Sequence, residues 1–332
     1  MKIGLVGTGG VGRALIGLIG KRDDMDLVFA LNSRSGAGDP SGLDCEGLAE
    51  YLQENSDLSE YGEGGFGTWE LGDVLKSYKV DLLVEATPTN KGTGEPAATT
   101  IRLALQEGIH VVTANKGPVM LHFKELGDLA QENGLGLGIG ATAGAALPTI
   151  SAGENDLLGS RLLGIRGVLN GTTNYILHLM ETEGMSYGDA LRKAQEEGIA
   201  ETDPSQDVEG WDTAIKMTII ANALAGTDLT LEDAQVTGIS HLTLEDIGAA
   251  KREGKRYRLL GELDLQDENP RALVRPIMVS QEDIFYGVQG KNKGVEYITD
   301  NLGEIAILGG ASDVRGAAAA IIRDILQIKK NF

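Results

Sequence analysis

The chain opens with Met1-Lys-Ile-Gly-Leu-Val-Gly-Thr-Gly-Gly-Val-Gly12, and this stretch decides the class of fold. A short apolar strand runs directly into three glycines, Gly7, Gly9 and Gly12, and the apolar residues 14–19 that follow have the pattern of a helix. In this setting the first glycine permits a tight turn, the second lets the backbone approach a pyrophosphate, and the third allows close packing of helix on strand. The helix N-terminus adds amide donors for the phosphates. The sequence therefore predicts an N-terminal dinucleotide-binding domain.

The rest of the first 140 residues repeats the alternation of strand and helix that such a domain needs. Buried parallel strands are predicted at Leu27–Leu31, Asp81–Ala86 and Ile109–Thr113, and helices at 46–53, 97–106 and 123–131. Residues 36–70 are rich in Gly, Ser, Asp and Glu, and apart from the helix at 46–53 they give no indication of a function.

The residues after the second strand indicate which dinucleotide binds. NAD-specific domains usually place Asp or Glu there, where the carboxylate binds the ribose 2′-hydroxyl. Here the strand Leu27–Leu31 is followed by Asn32-Ser-Arg-Ser35, so no carboxylate would repel a 2′-phosphate and a guanidinium could bind one. Arg34 therefore favours NADP over NAD, although an ordinary loop arginine would give the same pattern.

Beyond residue 140 the pattern changes from alternation to grouping. Helices are predicted at 172–180, 187–197 and 207–225, and strands at 161–169, 257–263, 273–279, 295–299 and 304–308. Grouped helices followed by grouped strands are typical of an α+β domain with a mostly antiparallel sheet. We therefore predict an α/β protein with three parts: a Rossmann dinucleotide-binding domain (1–140), an α+β substrate-binding and dimerisation domain (141–305), and a C-terminal helix within 306–332 that returns to the nucleotide domain.

The helix predicted to begin near Asp207 has two charges on its apolar face. With residues placed at about 100° intervals, one apolar arc is formed by Val208, Trp211, Ile215, Ile219, Ile220 and Ala223. Asp212 and Lys216 fall inside this arc, one turn apart. Burial of two charges costs several kcal/mol per ion unless they are paired. The pair therefore favours a functional site over the alternative, an exposed i,i+4 salt bridge worth about 0.3–0.5 kcal/mol.

Composition excludes several classes of protein. The chain of 332 residues is 42% hydrophobic, which is enough for two globular domains, and its formal charge of −20 disfavours nucleic acid and anionic membranes as partners. Because neither a long apolar run nor a signal peptide occurs, we expect a soluble, cytoplasmic protein. The single cysteine, Cys45, rules out a disulfide framework and a thiolate zinc cluster, and the four histidines have no metal-ligand spacing.

Three further charged residues lie where a site could form. Lys116 follows the strand Ile109–Thr113, and open α/β sheets bind ligands at the carboxyl ends of their strands. Glu201 and Asp207 lie in the turn-rich segment that leads into the helix with Asp212. On the residues alone, a helix N-cap explains Asp207, and a surface charge explains Glu201, better than a site does.

With these residues placed, the chain resembles the homoserine dehydrogenase family over nearly its whole length. Besides the first glycines, the similar motifs are Thr113-Ala-Asn-Lys-Gly-Pro118, Gly140-Ala-Thr-Ala-Gly-Ala-Ala-Leu-Pro148, Leu169-Asn-Gly-Thr-Thr-Asn-Tyr175, and Glu201-Thr-Asp-Pro-Ser-Gln-Asp207 with Trp211-Asp-Thr-Ala-Ile-Lys216. The resemblance implies reversible, NAD(P)-linked interconversion of L-homoserine and L-aspartate 4-semialdehyde, on the route to threonine, methionine and isoleucine. Two alternatives remain open, an oxidoreductase of another small carbonyl compound and a non-catalytic dinucleotide sensor.

The resemblance also implies roles for single residues. Lys216 is similar to the family's proton donor and acceptor, with Asp212 beside it, and Lys116 to the lysine between cofactor and substrate. Glu201 and Asp207 correspond to residues that hold the substrate's amino group, near Thr172. For the cofactor, NADP or else NAD, the expected contacts come from Gly7, Thr8, Gly9, Gly10, Val11, Gly12, Arg34, Thr87, Lys116 and Gly310.

The resemblance further implies a bound cation and a homodimer, and this chain differs from the family at a few positions. The family's monovalent cation, usually sodium, is held by backbone carbonyls, which here match those of Ala143, Ala145 and Leu147. Compared with the family pattern, Gly140 replaces an acidic residue of some members and Ile199 replaces a tyrosine. The late motif Gly-Pro-Gly-Ala-Gly is here Leu308-Gly-Gly-Ala-Ser312. The sequence ends without an ACT-type regulatory domain, so we expect no feedback inhibition through one.

Overall fold

The computed structural model describes residues 1–331, apart from the side chain of Glu63. The chain divides into two compact units. Residues 1–145 and the C-terminal residues from Asp313 form the first unit, and Ala146–Ser312 form the second. The domain boundaries inferred from the sequence, at 140 and 305, stay predictions.

The first unit is built on a mostly parallel sheet. Its strands are β1 (Lys2–Val6), β2 (Asp26–Leu31), β3 (Gly36–Gly38), β4 (Gly65–Phe66), β5 (Leu82–Glu85), β6 (His110–Thr113) and β7 (Leu137–Gly138). Among the described residues they follow the order β4-β3-β2-β1-β5-β6-β7, and all are parallel except β3 and β4, which form an antiparallel edge. The predicted parallel sheet is confirmed, and the sheet order reverses between β1 and β5, which is where such folds bind nucleotides.

Helices cover both faces of this sheet. They are α1 (Gly10–Ile19), α2 (Cys45–Glu54), α3 (Leu71–Ser77), α4 (Ala97–Gln106), α5 (Lys116–Glu132) and α6 (Gly140–Ala143). Leu82 and Val84 of β5 belong to the buried cluster that includes residues of α1 and α2, whereas Leu83 belongs to the one that includes residues of α3 and α4. Burial on both faces explains why these consecutive positions are all apolar.

The second unit is built on a mostly antiparallel sheet. Its strands are β8 (Leu162–Val168), β9 (Ala234–Val236), β10 (Arg256–Asp264), β11 (Ala272–Val279), β12 (Lys293–Thr299) and β13 (Glu304–Gly309). Within the described part of this unit the order is β13-β12-β8-β10-β11-β9, and every pairing except β9 with β11 is antiparallel. The prediction of a mostly antiparallel sheet is therefore confirmed.

The helices of the second unit pack on one face of its sheet. They are α7 (Thr149–Asp156), α8 (Gly171–Glu183), α9 (Tyr187–Glu196), α10 (Ser205–Val208), α11 (Trp211–Ala225) and α12 (Leu244–Arg252). A Cβ atom on Gly261 of β10 would lie 2.7 Å from Met217, so glycine at this position allows α11 to pack close to the strand. On the opposite face, the short 3₁₀ turn Ile284–Gly287 covers part of the sheet through Phe285.

The single helix predicted over residues 207–225 is wrong, because Gly210 divides it. Gly210 has a φ of 90°, a left-handed conformation that glycine adopts without steric cost, and it separates α10 from α11. Val208 therefore lies outside α11, and Trp211 is 39% exposed, so neither belongs to the predicted apolar arc. The fully buried isoleucines of the arc are Ile215, Ile219 and Ile220.

The last helix, α13 (Val314–Asn331), returns to the first unit, as predicted. It places Ala318, Ile321 and Ile325 in the buried cluster that also contains Leu15 and Ile16 of α1. Neither α13 nor any other helix within residues 1–331 has the length and apolar character needed to cross a bilayer.

Candidate active site

The turn after β1 has the geometry that its glycines predict. Gly7 has a φ of 108°, and a Cβ atom there would lie 2.5 Å from the carbonyl carbon of Ala86, directly after β5. A Cβ atom on Gly12 would overlap the Gly7 carbonyl oxygen. At Gly9, by contrast, a Cβ atom would face open space, so the backbone at the start of α1 is accessible to a phosphate group. The turn therefore fits a dinucleotide pyrophosphate.

The turn after β2 is built by Asn32 and presents Arg34 to solvent. Oδ1 of Asn32 accepts hydrogen bonds from the amides of Arg34 and Ser35, both at 2.8 Å, and its Nδ2 donates to the Ser56 carbonyl at 2.7 Å. Ser35 is buried, whereas Arg34 is exposed. The Asn32 amide group is therefore used within the turn, and the charged side chain of Arg34 is exposed to solvent.

A buried carboxyl group lies at the carboxyl edge of the first sheet. Glu85, the last residue of β5, is fully buried and accepts hydrogen bonds from the backbone amide of Thr87 at 2.8 Å, from its hydroxyl, and from Oγ1 of Thr113 at 2.9 Å. Burial raises the pKa of Glu85, and the hydrogen bonds from Thr87 and Thr113 act in the opposite direction. Sequence reasoning included Thr87 but missed Glu85, whose only signal was a single acid at the end of an apolar strand.

Asn115 fixes the start of α5, where Lys116 lies. Its Oδ1 accepts a hydrogen bond from the Gly117 amide at 3.0 Å, and its Nδ2 donates to the carbonyl oxygens of Thr87 and Pro88 at 3.2 and 3.3 Å. Lys116 is the first residue of α5 and is half-buried. Lys116 therefore lies at the carboxyl edge of the sheet, as its position in the sequence after β6 predicts.

Asp212 and Lys216 form a largely buried ion pair on α11. Nζ of Lys216 lies 2.6 Å from Oδ2 of Asp212 and also donates to the Leu169 carbonyl oxygen at 2.8 Å. The two side chains are 12% (Lys216) and 8% (Asp212) exposed, so the alternative of an exposed surface salt bridge is wrong. Because buried ion pairs need further hydrogen bonds, Leu169 is part of the arrangement that holds the lysine.

Asn170 joins this pair to Asp207, and sequence reasoning missed it as a site residue. Its Nδ2 donates to Oδ1 of Asp207 at 2.6 Å and to Oδ2 of Asp212 at 2.8 Å. Asp207 lies inside α10, so its explanation as the N-cap of the longer helix is wrong. An asparagine within the Leu169–Tyr175 motif was the only signal for this connection.

The loop that precedes α10 is held by Thr172 and Gln195, and it contains Glu201. The hydroxyl of the buried Thr172 donates to the Ile199 carbonyl oxygen at 3.2 Å. Nε2 of Gln195 donates to the carbonyl oxygens of Glu201 and Thr202 at 3.1 and 3.3 Å. Glu201 itself is exposed. The loop backbone is therefore held by hydrogen bonds, while the carboxylate of Glu201 faces solvent.

The segment matched to the family's cation site begins with the short helix α6. Ala143 ends this helix, and Ala145 has a φ of 51°, which is uncommon for a residue other than glycine. Among the described residues no cluster of three or more His, Cys, Asp or Glu side chains could hold a metal ion. The described residues therefore provide no cluster of acidic or histidine side chains for a cation at this segment.

Gly310, predicted to contact the cofactor, has a structural reason to be glycine. Its φ is 62°, and a Cβ atom there would lie 2.5 Å from the backbone nitrogen of Leu147. The altered late glycine motif thus keeps the residue that allows two backbone segments of the second unit to approach closely.

The glycine turn of the first unit and the buried lysine–aspartate pair of the second define the class, a two-domain oxidoreductase that uses a nicotinamide dinucleotide. The family model "Homoserine dehydrogenase" matches residues 148–326, and the model "Homoserine dehydrogenase, NAD binding domain" matches residues 7–137. The chain belongs to the homoserine dehydrogenase family.

Relatives of similar length cover both units. The chain is 37% identical over 336 residues to the homoserine dehydrogenase of Methanocaldococcus jannaschii, with 99% of this chain and 98% of the relative covered. It is 34% identical to the NAD(+)-dependent homoserine dehydrogenase of Pseudomonas canavaninivorans, with 99% and 96% covered. The crystal structure of the homoserine dehydrogenase from Thermoplasma acidophilum superposes with a TM-score of 0.84 at 27% identity, over 99% of both chains.

Proposed function

We propose that the protein catalyses the reversible, NAD(P)-linked oxidation of L-homoserine to L-aspartate 4-semialdehyde, a step toward threonine, methionine and isoleucine. The buried Lys216–Asp212 pair, in a chain of this family, is the observation that carries the proposal. The test is homoserine-dependent reduction of NADP⁺ or NAD⁺ by the purified protein, followed by the absorbance of the reduced cofactor. Turnover of another small alcohol but not of homoserine would refute the proposed substrate.

Lys216 is proposed to carry the proton that the reaction moves. Reduction of an aldehyde needs a proton at the oxygen that becomes the alcohol, and a positioned lysine can donate it. An ammonium group has three N–H donors, and Nζ uses two of them on Asp212 and on the Leu169 carbonyl. The third is left for the substrate oxygen. In the oxidising direction, Lys216 must be the neutral amine, whose lone pair takes the hydroxyl proton and so regenerates the ammonium, while Asp212 keeps the lysine oriented.

The cofactor, when bound, supplies or accepts the hydride at its nicotinamide ring. The glycine turn Gly7–Gly12 would hold its pyrophosphate, since Gly9 leaves the backbone there accessible. Thr87 and Lys116 lie at the same carboxyl edge of the first sheet. The role proposed for Lys116, positive charge beside the reacting oxygen, rests on the family resemblance and on general electrostatic stabilisation of a developing alkoxide.

The carboxylates of Asp207 and Glu201 are proposed to bind the substrate ammonium. Only Oδ1 of Asp207 contacts Asn170, which leaves its second oxygen for another donor. Glu201 is exposed on a loop that Thr172 and Gln195 anchor, so its position is defined although its side chain faces solvent. Charge-assisted hydrogen bonds of this kind are about twice as strong as neutral ones.

NADP is proposed as the preferred cofactor, and Arg34 is the support for it. The exposed guanidinium follows β2, and Asn32, at the position where NAD-specific domains have an acid, uses its side chain to build the turn. The Pseudomonas canavaninivorans relative is named as NAD(+)-dependent, so both cofactors belong in any test.

A sodium ion on the carbonyls of Ala143, Ala145 and Leu147 is proposed from the family resemblance. Ala143 ends α6, so its carbonyl has no following helical turn to accept from, which suits a cation ligand. A higher melting temperature in sodium chloride than in choline chloride at equal ionic strength would support bound sodium without relying on activity. Equal melting temperatures in the two salts would contradict it.

A homodimer formed through the second sheet is also proposed. The face opposite α11 has a groove of about 600 Å³ lined in part by Arg166, Glu262 and Ile298. Beside it, the edge strand β13 carries Leu308, which is 50% exposed. A second copy on this face would cover the strand edge and the apolar surface together. A cytoplasmic location stays a prediction.

A further inference from the structure

One buried side chain, that of Asn170, connects the proposed proton-transfer pair with the proposed ammonium-binding carboxylate. Its Nδ2 donates to Asp207 at 2.6 Å and to Asp212 at 2.8 Å, so both hydrogens of the amide are used. Asn170 is only 4% exposed, which keeps these bonds away from solvent. The amide therefore sets the distance between two carboxylates that belong to different helices.

The oxygen that Asn170 contacts on Asp212 is the one that also holds Lys216. Oδ2 of Asp212 accepts from Nδ2 of Asn170 at 2.8 Å and from Nζ of Lys216 at 2.6 Å. The second acceptor of Lys216 is the carbonyl of Leu169, the residue directly before Asn170. A shift of Asn170 would therefore move both acceptors of the lysine.

Asn170 also offsets the repulsion between the carboxylates of Asp207 and Asp212. The break at Gly210 places Asp207 on α10 and Asp212 on α11, yet both carboxylates lie within hydrogen-bond distance of the same nitrogen, where two negative charges repel each other. A neutral group with two N–H donors stabilises both carboxylates without adding charge. Serine offers one donor with a shorter reach, and an ionised aspartate offers none.

We propose that Asn170 is a positioning residue, which aligns Lys216 with the substrate held by Asp207 and sets how tightly the Asp212–Lys216 pair keeps its proton. This inference rests on the proposed function for the roles of Lys216 and Asp207. Without the amide donors, Asp212 loses a stabilising partner and attracts the lysine proton more strongly. Homoserine oxidation, in which Lys216 must accept a proton, then requires a higher pH.

Asn170 also caps α8, and this role needs its own control. Its Oδ1 accepts from the Thr173 amide at 2.9 Å. Asn170→Ser keeps a capping oxygen but removes the amide donors, whereas Asn170→Asp keeps shape and cap but adds a negative charge. Ser186→Ala is the matched control, because it removes the N-cap of α9, where Ser186 accepts from Asp189 at 3.2 Å.

The first experiment compares the pH dependence of homoserine oxidation in the wild type and these variants. We expect kcat/KM of Asn170→Ser to fall at least about tenfold. In the plot of kcat/KM against pH, the rising limb that reports proton acceptance should move to higher pH by roughly half to one pH unit. Both effects should be larger in Asn170→Asp, while Ser186→Ala lowers only the melting temperature. A variant Asn170→Ser with the wild-type limb and kcat/KM within about twofold would overturn the inference.

A second experiment does not depend on turnover. Lysine labelled with ¹⁵N at Nζ reports the titration of Lys216 by NMR in the free protein, with the signal assigned through Lys216→Arg. We expect the titration to move to higher pH in Asn170→Ser and to stay unchanged in Ser186→Ala. An unchanged titration in Asn170→Ser would refute the positioning role. If the wild type fails to oxidise homoserine but the titration still moves, the proposed function fails, and the effect of Asn170 on the Asp212–Lys216 pair stands.

Discussion

Asp324 and Gly140 lie 184 residues apart in the chain, and Oδ2 of Asp324 accepts a 2.7 Å hydrogen bond from the Gly140 amide. A Cβ atom on Gly140 would lie 2.7 and 3.0 Å from the two carboxylate oxygens of Asp324. Glycine at this position therefore makes room for a carboxylate that α13 brings from the other end of the chain. A carboxylate from another element thus lies directly beside position 140.

Asp324 should make the stability of the protein depend on pH. Burial raises its pKa to about 6, above the ordinary value of 3.8, against the opposing effects of Arg323 and the Gly140 amide. Its stabilising contribution is thus fully present below about pH 4 and is lost as the pH rises through 6. The free energy of unfolding of Asp324→Asn, measured relative to the wild type, should rise by about 3 kcal/mol between pH 4 and pH 7.

Urea unfolding of both proteins across this pH range measures the effect of Asp324. Asp73→Asn, which removes an exposed carboxylate of α3, controls for the change in net charge. A difference between Asp324→Asn and the wild type that does not vary from pH 4 to pH 7 would contradict the prediction.

Lys216→Ala should lower kcat at least about a hundredfold, because it removes the proposed acid–base group. Cofactor affinity should stay near the wild-type value, since the glycine turn belongs to the other unit. Steady-state kinetics and cofactor titration measure the two effects separately. Lys255→Ala, which breaks an ion pair with Glu253, is the control for loss of a lysine. A folded Lys216→Ala protein with near-normal turnover would exclude the role.

Glu201→Gln should mainly raise the KM for homoserine, because the proposed partner is the substrate ammonium. Removing a charged partner costs about 1.5–3 kcal/mol, or roughly ten- to a hundredfold in KM. Glu196→Gln, an exposed acid near the end of α9, should leave KM unchanged. If KM for homoserine is unmoved and only cofactor binding weakens, the assignment of Glu201 is wrong.

Arg34→Ala should remove a preference for NADP over NAD. A charge-assisted pair with the 2′-phosphate is worth about 1.5–3 kcal/mol, so NADP should bind the wild type roughly ten- to a hundredfold more tightly. Calorimetric titration of both cofactors measures this, with Arg192→Ala as an exposed arginine of the second unit for comparison. Equal affinities in the wild type, or an Arg34→Ala protein that still prefers NADP, would show that Arg34 does not bind the phosphate.

Leu308→Asp should convert the proposed dimer into a monomer. The substitution places a charge on the exposed apolar edge of the second sheet, where a charge opposes association. Leu244→Asp on α12, where the leucine is 42% exposed, is the matched control and should stay dimeric. Light scattering at micromolar concentration measures both, and a monomeric wild type would rule out the dimer.

Elements with a long periodic pattern could be predicted from the sequence, whereas short elements could not. The pattern over 97–106 gives the bounds of α4 without error. The strands β3 and β4 are three and two residues long, too short for any period; β3 pairs with β2, and β4 pairs with β3. Gly210 shows the limit within helices, since one glycine in an amphipathic run does not reveal whether its φ is positive.

In the candidate site, too, some residues could be predicted from the sequence pattern and others could not. Lys216 and Asp212 could be found because two charges interrupt an apolar face, and the predicted pairing is seen. Asn170 and Glu85 were missed because each has a sufficient local explanation, a cap for one and a strand end for the other. Thr113, a partner of Glu85, lies 28 residues away along the chain, and Asp212, a partner of Asn170, lies 42 residues away, so only the folded structure brings these groups together.

The nucleotide-binding unit contains residues that lie before and after the second unit in the chain, and this determines when it can be completed during synthesis. Residues 146–312 form the second unit as one continuous stretch, so the ribosome finishes them before any residue of α13 exists. Until then, the surface of α1 that contains Leu15 and Ile16 lacks the helix that covers it. Domains generally fold as units as they emerge. The glycine turn therefore leaves the ribosome before the second unit, and its own unit is completed only after the second unit.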